Sequence, residues 1–200
     1  MTSVVSVTGR NLRELIDAAD ERGLAAAGLA CLDRCLPLFA ADRADVLRPV
    51  WAAVARGDGR AWAEAVAKAR TELDAPAAPA DAAQDGPATT DAEAVRGMLA
   101  AAPEAWTPGA LRAWADACSV TALVLHGRYD AGDGPEGLAE RCRAGDAEGA
   151  GPLLAGELRR QRTVLESAAH GPTGLRRARE LSAEGGRVLR AVVSRRARTA

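Results

Sequence analysis

Aromatic side chains are scarce in this chain: four Trp, one Tyr and one Phe make up 3% of it. A core so poor in large rings has to be filled by close-packed helices of small residues, with Leu, Val and the tryptophans as anchors. Lysine is scarcer still. Lys68 is the only one, and every other basic side chain apart from the two histidines is an arginine. Beside the excess of alanine, this reads as the bias of a high-GC bacterial genome rather than a functional choice of Arg over Lys.

Long apolar runs are also lacking. The stretch 24–41 comes closest, but Asp33, Arg34 and Pro37 interrupt it, so no transmembrane segment is expected. The opening residues, MTSVVSVTGR, show no charged segment followed by an apolar one, so no signal peptide is expected. Neither charge sign dominates: the formal net charge is −1 and the pI is near 6.2. General nucleic-acid binding needs a basic face to neutralise phosphates and is not expected. Four cysteines are present without the spacing of a small disulfide framework. Together these absences point to a cytoplasmic protein with free thiols.

Several catalytic signatures are missing. No GxxxxGK[ST] cradles a phosphate, and no GxGxxG follows a strand. LVLHG at 123–127 has the look of an α/β-hydrolase oxyanion segment. However, no G-x-S-x-G elbow accompanies it, and a helical period runs through it from Leu111. Asp130 and Asp133 lie in GRYDAGDG, which lacks the ligand ladder of an EF-hand and reads as a polar turn. His126 and His170 each fall at an expected helix end, where positive charge favours the dipole. No cofactor and no catalytic set are expected.

The residues present are helix formers throughout. Residues 47–73 read as a helix, a turn at Gly57 and Asp58, and a second helix; 138–158 repeat the plan around Gly145 and Asp146. Glycine supplies the left-handed helix end and aspartate caps the second helix of the pair. Asn11 and Glu14 form a capping box, Gly23 is a stop, and Thr107 with Pro108 starts a long helix carrying Leu111, Trp114, Cys118 and Leu125. In the last helix, Gly185 and Gly186 either bend the chain or admit another backbone. The stretch from 75 to about 90 is rich in Ala, Pro, Gly and Asp and has too little apolar surface to order itself. The expected fold is therefore an all-α helical bundle. Two related halves of helical hairpins, 1–74 and 91–200, are joined by a flexible Ala/Pro-rich linker at 75–90.

Two groups of side chains are candidates for a site. Cys31 and Cys35 share a helical face and, with Cys118 and Cys142, have the chemistry of a thiolate zinc site. Against this, no CxxC knuckle occurs and their stripe is apolar, so four buried thiols and no metal are expected. Past Arg187 the chain contains no acid, and Arg190, Arg195, Arg196 and Arg198 make its end basic. These four are the candidate contacts for a protein partner or for a second copy of the chain.

One segment resembles a known family. AERCRAGDAEGAGPLLAGELRRQ, 139–161, is similar to the closing helical hairpin of the FCD-type ligand-binding domains of winged-helix bacterial regulators. The resemblance implies an all-helical domain that takes a carboxylate effector beside a metal. Where that pattern carries a metal-binding histidine, this chain has Glu157 or a neighbour, and no ligand residue is carried over. The expected function is that of a non-enzymatic interaction or regulatory module. The alternative is a helical small-molecule or metal sensor.

Overall fold

The computed structural model describes residues 9–40, 43–74, 87–130 and 134–199. Among them are nine α-helices and no strand: α1 (Leu12–Ala18), α2 (Glu21–Cys35), α3 (Arg48–Arg56), α4 (Gly59–Asp74), α5 (Pro87–Ala100), α6 (Pro108–Arg128), α7 (Leu138–Arg143), α8 (Pro152–Ala168) and α9 (Gly171–Ala197). The chain is an all-α bundle. No helix among the described residues is long and apolar enough to cross a membrane.

Local chemistry sets most of the boundaries. At α1 the capping box is complete: the Asn11 side chain accepts from the Glu14 N–H at 3.0 Å, and Glu14 accepts from the Asn11 N–H at 2.8 Å. Gly23 does not stop a helix. Asp20 accepts from its N–H at 2.8 Å and opens α2 there, because an aspartate cap satisfies donors that a glycine stop would leave open. α2 ends at Cys35, and Pro37 sits in a tight 3-10 turn, Leu36–Leu38. At the α3–α4 corner Gly57 takes φ +64°, and the Asp58 carboxylate accepts from the N–H groups of Arg60 and Ala61.

The second Gly-Asp turn is built differently. Gly145 takes φ +107°, but Asp146 accepts from the Glu148 N–H, and α8 does not begin until Pro152. The first amides of α8, those of Leu153 and Leu154, donate instead to Asp130 from the end of α6, at 2.7 and 3.0 Å. A cap is therefore supplied from a distant part of the chain. α5 starts at Pro87, inside the stretch expected to be linker, with proline in the first turn where its missing N–H costs nothing. The remainder of that expected linker, 75–86, lies outside the described residues.

α2 is the centre of the bundle and packs on α6, α8 and α9. Leu24, Ala25, Ala26, Leu29, Ala30 and Leu32 are all buried, so the helix is apolar nearly all round. Its small residues bring partners close. A Cβ at Gly28 would stand 2.5 Å from the Trp114 ring. Trp62, fully buried, meets Trp106 and Trp114 edge to face at 5.5 Å each and donates its indole N–H to the Pro103 carbonyl at 2.7 Å. Each such ring pair adds about 0.5–1.5 kcal/mol beyond the area it buries. One contiguous core runs from Leu12 to Leu181 and draws on residues from both sides of 75–86.

Candidate functional site

Among the described residues, three places are candidates for a site. The first is inside the bundle. Arg34 lies on the last turn of α2, and its guanidinium forks onto Glu157 of α8: Nε donates to Oε2 at 2.7 Å and Nη2 to Oε1 at 2.6 Å. Gln161, one turn further along α8, donates to Glu157 at 2.9 Å and to the Ser119 carbonyl at 3.2 Å, and it accepts from the Ser119 hydroxyl at 2.6 Å. Ser182 of α9 and the Cys31 thiol lie 3.5 Å from the guanidinium. His126 of α6 completes the cluster, with Nε2 at 3.6 Å from Glu157.

Burial governs the charges here. Both Arg34 and Glu157 have 0% side-chain exposure. Burial pushes the Glu157 carboxyl up, but Arg34, His126 and the Gln161 hydrogen bond outweigh it and hold the group below its usual range. Burial likewise opposes the Arg34 charge, and Glu157 more than restores it. Burial lowers His126 below its ordinary 6.5 despite the facing carboxylate. Its Nδ1 lies 2.7 Å from the Ala122 carbonyl, which fixes the Nδ1–H tautomer and leaves Nε2 without a hydrogen-bond partner. No member of the cluster meets solvent, so no substrate reaches it. It locks α2, α6, α8 and α9 together.

The four candidate cysteines are free and buried. Burial pushes Cys31 up to about 12 and raises Cys35 and Cys118 well above 9.0, so these are protonated thiols packed as small apolar groups. Among the described residues no group of three His, Cys, Asp or Glu side chains is placed to hold a metal ion. His170 stands at the start of α9, with Nδ1 at 2.8 Å from the Glu166 carbonyl.

The second place is a cleft of about 560 Å³ between α6, the segment leading into α7, and the start of α8. Val120, Val124, Leu138 and Leu154 give it an apolar lining, while Asp130 and Glu140 stand among its polar members. Val124 is 40% exposed, the one large apolar side chain so open among the described residues.

The third is a hollow of about 280 Å³ where α9 crosses the end of α2 and the start of α3. Arg48, Arg179, Arg187 and Arg190 line it together with Asp33. The basic terminal arginines are therefore separated by the fold. Arg190 faces this hollow, whereas Arg196 turns back on the bundle, donating to the Arg128 and Asp130 carbonyls at 3.1 and 2.9 Å and lying over the Tyr129 ring at 5.4 Å. Arg195 and Arg198 remain exposed in and just past the last turn.

No known family, curated protein or solved structure matches the chain. Glu157, one of the positions at which the resemblance to the FCD pattern would call for a histidine, is committed to Arg34. Sequence reasoning missed the Arg34–Glu157–His126 cluster. Its one local signal was a charge, Arg34, on an otherwise apolar stripe, and nothing nearby in the chain announces the partner. Arg48, Arg179 and Arg187 went unnoticed because they converge only when α3 lies against α9.

Proposed function

We propose that this is a non-enzymatic regulatory binding module whose α6–α7–α8 cleft takes a small, mainly apolar organic ligand. The observation that carries the reading is the cleft itself. Its 560 Å³ falls within the few hundred to about a thousand Å³ of small-molecule sites, and it combines an apolar lining with a few polar groups. Val124 lies open in it. The cleft is also joined to the frame, because Asp130 both lines it and caps α8, while Arg196 of α9 holds the Asp130 carbonyl. A ligand there touches α6, α7 and α8 and stabilises the folded chain by mass action.

A neutral solvatochromic dye, Nile red, tests the site. Saturable binding with a blue shift is expected from the parent protein and not from Val124→Arg, which puts a charge in the cleft at an exposed position. Equal binding by both proteins would sink the reading. Native mass spectrometry of freshly purified protein then looks for a ligand carried through purification.

A protein partner at the end of α9 is the second reading, favoured by the exposure of Arg195 and Arg198. Arg195→Glu with Arg198→Glu is the variant that tests it. Deleting everything from 187 onward would also remove Leu189, which is wholly buried.

A further inference from the structure

We infer that the hollow between α9, α2 and α3 is a binding site for the phosphate-monoester group of a small soluble metabolite. On α9, residues 179, 182, 183, 186, 187 and 190 face the hollow, a spacing of three and four that places them on one stripe of the helix. Three of the six are arginines. Arg48, at the first turn of α3, brings a fourth guanidinium from the opposite wall. Among the described residues, the acids facing them are Asp33 and Asp45.

Three of the four guanidiniums are not consumed by ion pairs. Such pairs elsewhere tie down Arg60, Arg70, Arg112, Arg128, Arg141, Arg143 and Arg177, whereas among the described residues Arg48, Arg179 and Arg187 have no carboxylate within 4.0 Å. Asp33 is already engaged, accepting the Trp51 indole N–H at 3.0 Å, and Arg179 acts on it only through space. Like charges held around one hollow repel one another unless an anion joins them. A phosphate monoester carries between one and two negative charges near neutral pH and three acceptor oxygens, which suits guanidinium forks arriving from two sides.

The remaining lining defines the rest of the ligand. Leu36, Pro37 and Ala40 supply an apolar margin for a short carbon skeleton. At 280 Å³ the space lies just below the range for drug-sized ligands, so the compound is small. This site is separate from the α6–α7–α8 cleft, and neither reading depends on the other.

Isothermal titration with inorganic phosphate, glycerol 3-phosphate and succinate tests the proposal. Saturable binding of the two phosphates is expected, with glycerol 3-phosphate the tighter and succinate weaker than either. Arg48→Gln with Arg187→Gln should weaken binding by about tenfold or more, since charge-assisted contacts are lost from both walls. Arg195→Gln with Arg198→Gln removes the same charge outside the hollow and should leave the affinity unchanged. Ala183→Glu, at an exposed position, should abolish binding while the melting temperature stays near that of the parent. Equal weakening by both double variants would reduce the effect to net charge and overturn the proposal. So would absence of saturable binding, a preference for succinate, or binding to phosphatidic acid vesicles without binding to the soluble phosphates.

Discussion

Arg34 and Glu157 are 123 residues apart in the chain and 2.6 Å apart in the fold. Two charges with no exposure stand or fall together: each alone faces a desolvation cost that only the other offsets. Glu157→Gln is expected to cost about 3–5 kcal/mol in urea denaturation, since it strands a buried guanidinium. Replacing both, Arg34→Met with Glu157→Leu, should recover much of that loss, because no unpaired charge remains. A double variant no better than the worse single would show that the pair contributes net stability of its own. The same cluster sets a pH dependence. His126 and Glu157 both have folded values below their ordinary 6.5 and 4.5, so at low pH the unfolded chain takes up protons that the folded chain refuses. Stability should hold above neutrality, begin to fall as the pH drops through about 6.5, and fall again once Glu157 titrates below 4.5. In thermal melts across pH, His126→Asn should flatten the first of these losses and leave the second.

At the scale of elements, the glycines of two helices make opposite predictions. α9 runs unbroken through Gly185 and Gly186, so no bend forms there, and Gly185 serves a close approach. A Cβ at Gly185 would strike the Arg34 side chain, which cannot move aside while Glu157 holds it. Gly185→Ala is expected to destabilise by about 1–3 kcal/mol despite alanine's helix propensity. Gly97 in α5 is exposed with nothing within 4 Å of its Cβ position, and Gly97→Ala should stabilise by about 0.5–1 kcal/mol. Thermal melts of the two variants shifting in the same direction would refute the packing account. Elements were also where the sequence was most legible. The Asn11–Glu14 box, Asp58, and the proline that opens α6 are short-range signals, and each marks an end in the structure. α8 was less legible because its cap, Asp130, comes from another segment. A cap borrowed from twenty-odd residues away leaves no local pattern.

At the scale of the whole molecule, the all-α class was readable and the pairing of helices was not. Apolar stripes at helical spacing state that a helix is buried, but not against which neighbour. The candidate sites failed to show for the same reason. Arg48 and Arg187 look like ordinary surface arginines until α3 and α9 are side by side. The core itself makes a prediction. Because one apolar cluster joins residues from Leu12 to Leu181, loss of helix by far-UV circular dichroism and loss of the buried tryptophan environment by fluorescence should coincide in one transition. Two separated transitions would mean that the parts before and after 75–86 melt independently.

The central place of α2 has a consequence during synthesis. This helix is apolar nearly all round, and it leaves the ribosome before any of its main partners exist. α6 follows only from Pro108, and α9 is complete only at Ala197. At about 5–20 residues per second, α2 waits on the order of ten seconds for its last neighbour. Through that interval the nascent chain carries a helix whose middle, residues 23–32, is uncharged and has no partner to cover it. Chains that stop before α6 leave this helix uncovered and are expected to aggregate more readily than the full sequence, which sedimentation of the two after refolding checks.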